Sequence, residues 1–147
     1  MEEKAKEYNL NVQIFSDHFQ SDAKEAGITL LAQTQPNSVL LAGGETTVKV
    51  TGNGKGGRNQ EVVLAALTHT SSDTVIASIA SDGFDNTEHA GAVGDSNTSQ
   101  KALAQKLDPE EYIRNNDSYT FFEKTGDGIK TGRLPSNVSD LFVVLRK

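Results

Sequence analysis

Four short polar clusters hold the residues of this chain that could do chemistry. The first is Gly52-Asn53-Gly54-Lys55-Gly56-Gly57-Arg58-Asn59-Gln60-Glu61. It sets glycines, two cations and amides between an expected strand and an expected helix. Glycine lets a backbone approach a ligand closely. The N-terminus of the helix that follows offers free N–H groups and a partial positive charge. With Lys55 and Arg58 added, the stretch reads as an anion site for phosphate or carboxylate.

The familiar phosphate loops do not fit this stretch. Gly52, Gly54 and Gly57 satisfy G-x-G-x-x-G, but Thr47-Val48-Lys49-Val50-Thr51 before them alternates apolar and polar. A dinucleotide-binding first strand is buried on both faces and reads almost wholly apolar. G-x-x-x-x-G-K-[ST] fails because Gly57 is followed by Arg58-Asn59. The protein-kinase loop joins two strands, whereas a helical pattern follows here. On spacing alone the segment is equally a plain glycine turn.

The second cluster is Ser81-Asp82-Gly83-Phe84-Asp85-Asn86-Thr87, after the apolar run Thr74–Ser81, which reads as the best buried strand of the chain. In open α/β sheets ligands sit beyond the carboxyl ends of strands. Asp82 and Asp85, backed by Asn86 and Thr87, suit Mg²⁺ through oxygen ligands, or one of them suits a base toward a hydroxyl. The alternative is an Asp-Gly turn in which Asp85 caps backbone amides. Asn115-Asn116-Asp117-Ser118 forms a third cluster, with a helix cap as its alternative. Thr131-Gly132 and Ser136-Asn137-Val138-Ser139-Asp140 form a fourth, with a polar loop as its alternative.

The elements between these clusters must position them. Residues 1–8 read as the tail of a helix, 11–15 as a short strand and 21–33 as a helix with Ala23, Ala26 and Leu30 on one face. Strands are expected over 38–42 and 46–51. A helix over 59–68 would turn Val62, Val63, Ala66 and Leu67 inward. Residues 82–95 read as a long loop, 99–106 as a helix. Asp108-Pro109-Glu110-Glu111 is a strong helix start. A further helix should run from Asp117-Ser118 through Phe121-Phe122, and strands over 129–131 and 141–145 close the chain. Strands alternating with helices predict an α/β fold, a single three-layer-like domain with a mixed β-sheet flanked by helices.

Composition narrows the classes. At 147 residues the chain suits one domain. A net charge of −6 disfavours nucleic acid as a partner, so an anion site would be a local basic patch on an acidic body. The absence of cysteine removes disulfides, thiolate metal sites and cysteine nucleophiles. His18, His69 and His89 lie far apart and read as surface or partly buried side chains. The charged start and the lack of a long apolar run predict no membrane segment and a cytoplasmic protein.

Taken in order, the segments resemble the C-terminal, MOFRL-type domain of glycerate 2-kinases, a family also labelled hydroxypyruvate reductases. Gly43-Gly44-Glu45-Thr46-Thr47-Val48, Gly56-Gly57-Arg58-Asn59-Gln60-Glu61 and Asp82-Gly83-x-Asp85 come first. Ala90-Gly91-Ala92-Val93, Asn116-Asp117-Ser118-Tyr119-x-Phe121-Phe122, Gly126-Asp127-x-Ile129-x-Thr131-Gly132 and Asn137-Val138-x-Asp140-Leu141 follow. Residues 39–147 carry the resemblance, and 1–38 are similar to the family's connecting region, a helix-strand-helix packed with the domain. The chain departs from the family's pattern at Arg133-Leu134-Pro135-Ser136, at Ser139 in place of a usual Asn, and at Asn86 where Gly is common.

The resemblance implies ATP-dependent phosphorylation of the 2-hydroxyl of glycerate, with ATP and Mg²⁺ as cofactors. The site would lie in a cleft shared with an N-terminal Rossmann-like domain of the same enzyme, absent from this chain. It implies Arg58, Asp82 and Asp85 as catalytic residues, with Asp82 and Asp85 also as metal ligands. Glu45, Lys55, Gly56, Gly57, Asn59, Asn116, Asp117, Asn137 and Asp140 would bind substrate. Arg58 is expected to contact the glycerate carboxylate or the transferring phosphate, and Arg58→Ala to cut turnover with little loss of fold. Two other readings stand beside this one. A reductase would bind a nicotinamide cofactor, against which the amphipathic 47–51 stretch argues. A non-catalytic module would bind anions or a partner, including a second copy of itself through an exposed apolar wall.

Overall fold

A computed structural model describes residues 1–8 and 10–147. The chain runs α1 (Glu2–Glu7), β1 (Asn11–Asp22), α2 (Ala23–Gln33), β2 (Ser38–Thr47), α3 (Arg58–Leu67), β3 (Thr74–Ala80), β4 (Gly91–Gly94), α4 (Ser96–Ala104), α5 (Pro109–Arg114), α6 (Ser118–Thr125), β5 (Gly128–Ile129) and β6 (Asp140–Arg146). The strands form one mixed sheet in the order β1-β2-β6-β3-β4-β5. β1 and β2 are parallel, joined through α2, and the other neighbours are antiparallel. The region before residue 38 is integral to this sheet, because β1 supplies its edge strand and α2 packs on α3.

The main core lies between the sheet and α2–α6. Leu40, Ala42, Ile76, Phe142 and Val144 face it from the strands. Alternation sends Val39, Leu41 and Val143 to the opposite face, where Ala5 of α1 meets them. Among the described residues, α1 alone covers that second face. The sheet is therefore flanked very unequally. β2 is buried from Ser38 through Ala42, whereas β3 alternates buried and half-buried residues. The most enclosed strand is thus β2 and not the 74–81 run.

α3 is the central helix. Every residue from Asn59 to Leu67 is buried, not one stripe of it, which marks a helix enclosed on all sides. Its first turn therefore buries Asn59, Gln60 and Glu61, and each must find partners inside the protein.

Three expected elements come out differently. β1 runs on to Asp22, where a strand over 11–15 and a helix from 21 were expected. β2 continues through Thr47, paired with β1 up to Asp22, and residues 48–50 belong to no strand. The Asn116 side chain takes backbone groups of Lys49, Thr51 and Gly52 in place of a strand partner. The expected 82–95 loop contains β4. Gly-Ala-Val-Gly carries little strand signal of its own, yet it adds to β3 through Ile76–Ile79.

Candidate active site

The four polar clusters converge at the carboxyl ends of β2 and β3 and the start of β6. In register, Asp140 stands opposite both Gly44 and Ala80. That places the first residue of β6 beside the N-terminus of α3.

Arg58 opens α3 and turns back to Asp140. Its Nε donates to Asp140 Oδ2 at 2.6 Å and its Nη2 to Oδ1 at 3.2 Å. Nη1 lies 3.1 Å from Glu45 Oε1. The hydrogen bonds it donates to Asp140 raise the guanidinium above its ordinary range. Asp140 is fully buried, so Arg58 supplies its counter-charge. Removing Arg58 would strand that carboxylate, which corrects the expectation that Arg58→Ala spares the fold.

Asp85 is buried under the same helix end. Its Oδ1 accepts from the Asn59 N–H at 3.1 Å and its Oδ2 from the Gln60 N–H at 2.9 Å. The side-chain amides of Asn59 and Gln60 donate to it as well, at 3.3 and 3.0 Å. Burial pushes the Asp85 carboxyl upward, and these N–H bonds pull it back. The anion at the N-terminus of α3 is therefore the chain's own Asp85. It acts as a helix cap, with its oxygens taken up by these N–H groups, and the buried residue also lines the smaller of the two cavities beside Arg58.

Asn59 ties the two acids together. Its Nδ2 also donates to Asp140 Oδ1 at 2.9 Å, and its Oδ1 accepts from Ser78 Oγ at 2.5 Å. It is fully buried, so it orients Asp85 and Asp140 from within.

The third cluster clasps the glycine loop. Asn116 Oδ1 accepts from the N–H groups of Thr51 and Gly52 at 2.7 and 2.9 Å. Its Nδ2 donates to Glu61 Oε2 at 3.1 Å. Asp117 Oδ1 accepts from the Lys55 N–H at 3.0 Å. The loop glycines are explained by this close approach. A Cβ on Gly56 would stand 2.1 Å from Ser118 Oγ, and one on Gly57 2.1 Å from the Asp85 carbonyl oxygen. Asn116 and Asp117 thus hold the loop and do not line the first cavity described below.

Two cavities flank Arg58. One, of about 240 Å³, is lined by Arg58, Asp82, Asn137, Ser139 and Asp140 among others. The other, of about 410 Å³, is lined by Glu45, Gly54, Gly56, Gly57, Asn116 and the buried Glu61 among others. Arg58 and Asn86 border both. Asp82 is partly exposed, and its Oδ1 accepts from the Phe84 N–H at 3.0 Å. Lys55 reaches neither cavity; its Nζ sits 4.1 Å over the Tyr119 ring. Asn86 and Ser139 have φ of 56° and 64°. Two of the three departures from the family's pattern therefore fall on left-handed backbone, which Asn adopts more readily than most residues.

Among the described residues no group of three or more His, Cys, Asp or Glu side chains could hold a metal ion. Asp82 offers one carboxylate, which fits an ion carried mainly by phosphates rather than one caged by this chain. Gln60, Glu61 and His89 also shape the site and were not among the expected site residues. The signal for the first two was three polar residues opening a helix whose remainder, Val62–Leu67, is wholly apolar. His89 is fully buried, not a surface or partly buried histidine.

The MOFRL family model matches residues 38–140. The chain belongs to the MOFRL family. Within it, this MOFRL chain is 35% identical over 154 residues to a D-glycerate 2-kinase of Thermotoga maritima, covering 96% of the chain and 37% of the relative. It is 44% identical over 115 residues to a glycerate kinase of Danio rerio, covering 72% and 23%. The solved glycerate kinase of Thermotoga maritima superposes with a TM-score of 0.91 at 35% identity, over 97% of this chain and 38% of that one. The solved PH0495 protein of Pyrococcus horikoshii gives 0.92 at 28% identity, over 99% and 36%. The MOFRL chain thus spans between 23% and 38% of the length of these longer relatives. No helix among the described residues is long and apolar enough to cross a membrane.

Proposed function

We propose that this MOFRL chain forms one wall of a glycerate 2-kinase active site. In that site the γ-phosphate of ATP passes to the 2-hydroxyl of glycerate, giving 2-phosphoglycerate. The other wall is an N-terminal Rossmann-like domain of the same enzyme. The observation that carries this reading is the cavity that brings Arg58, Asp82 and Asn137 together from three separate segments. At about 240 Å³ it is smaller than the ~300–1,000 Å³ usual for drug-sized ligands. That size suits a three-carbon hydroxy acid and leaves the nucleotide to the other wall. The names of the relatives support the same reading.

Phosphoryl transfer asks for positioning and charge neutralisation more than covalent help. Arg58, braced by Asp140, presents its remaining N–H groups to the substrate carboxylate or the transferring phosphate. Glu45 is exposed and yields its contact with Nη1 when an anion arrives. Asp82 takes the proton of the 2-hydroxyl or contributes an oxygen ligand to Mg²⁺. That ion would supply charge neutralisation at the nucleotide phosphates. Asn137 orients the substrate hydroxyls. Asp85 and Asn59 hold Arg58 and Asp140 in place, and Asn116, Asp117, Gly56 and Gly57 fix the loop behind them. The acids lining the cavity leave it poor in positive charge, so the other wall must bring cations for the phosphates.

Amide NMR of the chain during separate additions of glycerate, 2-phosphoglycerate, Mg·ATP and NADH tests the reading. Shifts at Arg58, Asp82–Asp85 and Asn137 with glycerate or its phosphate are expected. Shifts with NADH in their place would overturn it in favour of a reductase.

A further inference from the structure

A buried histidine joins the scaffold of the site to a surface ion pair. His89 is fully buried. Its Nδ1 lies 3.1 Å from Gln60 Oε1, and its Nε2 lies 2.7 Å from Glu123 Oε1. The neighbours decide what each nitrogen carries. Gln60 Nε2 sits 3.0 Å from Asp85 Oδ2 and 3.1 Å from the Asp85 carbonyl oxygen. A carbonyl oxygen only accepts, and so does an ionised carboxylate. The amide nitrogen must therefore face Asp85 and the amide oxygen must face His89. Nδ1 then has to donate. On the other side, Glu123 Oε1 also receives Lys130 Nζ at 2.7 Å. Hydrogen bonds from Lys130 and then His89 hold the Glu123 carboxyl below its ordinary range, so it too only accepts. Nε2 has to donate as well.

We infer that His89 is a buried imidazolium, protonated on both ring nitrogens, that locks the Gln60 amide against Asp85 and so serves as a positioning residue for Arg58. Charge alternates along the relay, from Asp85 through His89 and Glu123 to Lys130. That alternation offsets the cost of burying a cation, which is high unless the cation is paired. The other groups around the ring are Tyr119, whose ring centroid lies 4.7 Å away, and the backbone of Gly128, where a Cβ would come within 2.2 Å of His89 Cε1. Tyr119 donates its hydroxyl to Glu88, which also faces Lys130 at 3.7 Å. The consequence for phosphoryl transfer rests on the proposed function, whereas the protonation state does not.

Nitrogen-15 spectra of the His89 ring in the whole chain at neutral pH test the inference without any ligand. Both ring nitrogens are expected to show the protonated signature. Glu123→Met removes the acceptor on the exposed side of α6. It is expected to strip the proton from Nε2 and to shift the amide signals of Asn59 and Gln60. Glu88→Gln loses a charge facing the same lysine but no hydrogen-bond partner of the ring, and it should leave both ring nitrogens protonated. A bare nitrogen on His89 in the unmodified chain would overturn the imidazolium. Unmoved Asn59 and Gln60 amides in Glu123→Met would overturn the positioning role. Neither result depends on whether glycerate binds.

Discussion

Arg58 and Asp140, 82 positions apart, form a two-pronged pair at 2.6 and 3.2 Å in which the carboxylate is fully buried and the guanidinium side chain is 36% exposed. The pair fixes the start of α3 against the start of β6. It also occupies the Nε edge of the guanidinium, so only the outer N–H groups remain for a ligand.

Arg58→Ala should therefore cost stability as well as turnover. Breaking a fully buried pair costs about 3–5 kcal/mol. Here the partly exposed arginine lowers that to about 2–3 kcal/mol, because solvent screens it. Adding Asp140→Asn to Arg58→Ala should restore part of the loss, since the stranded charge disappears. Urea unfolding of the two variants checks this, and equal losses would mean that removing Arg58 leaves no stranded charge on Asp140.

Asp82→Asn should behave in the opposite way. Among the described residues the Asp82 side chain holds only the Phe84 N–H, so stability should change by less than about 1 kcal/mol. Turnover of the complete enzyme should fall by about 10²–10⁴-fold if Asp82 is the base. Steady-state kinetics beside a melting curve separates the two effects. Turnover within a few-fold of the unmodified enzyme would remove Asp82 from the chemistry.

Glu61 sets a pH dependence. Burial raises its carboxyl above the ordinary value of 4.5, against the pull of Asn116 and of Lys24 at 3.8 Å. In that range the folded state holds the proton more tightly than the unfolded state. Stability from this group is thus present at acid pH and declines as pH rises from 4.5 through the raised folded value. Glu61→Gln should flatten the decline, so the variant gains on the parent between acid and neutral pH. Parallel melting-temperature curves across that range would show that Glu61 ionises freely in the fold.

Gly57→Ala should loosen the Asp85 cap, because the new methyl meets the Asp85 carbonyl oxygen at 2.1 Å. Overpacking of this kind costs about 1–3 kcal/mol. Gly43→Ala is the control, since its nearest neighbour would be an ordinary 3.7 Å away. A similar loss at both positions, measured by denaturant unfolding, would show that the close approach at Gly57 is not what the loop requires.

Much was legible residue by residue. Asp108 caps α5 through the Glu110 N–H, with Pro109 in the first turn, as the local pattern predicts. The motif order resembling the MOFRL domain placed the glycine loop, the Asp82 turn and the late Asn137 turn in one site, and a shared cavity brings Arg58, Asp82 and Asn137 together. The roles within that set were not legible. Lys55 and Asp85 read as ligands from their charge. In the fold, Lys55 lies over Tyr119, and Asp85 fills the helix end that an outside anion would have used.

Caps, turn residues and apolar periodicity act over a few positions, so most helices were legible before the fold was known. Composition also settles the absence of thiol chemistry and the net negative charge. Which polar groups are spent inside the protein depends on long-range packing. Asn59 meets Asp85 across 26 positions, Gln60 meets His89 across 29, and Asn116 meets Thr51 across 65. Such pairings depend on sheet register and on the burial of α3, because a buried polar group must take whichever partner the packing brings within reach.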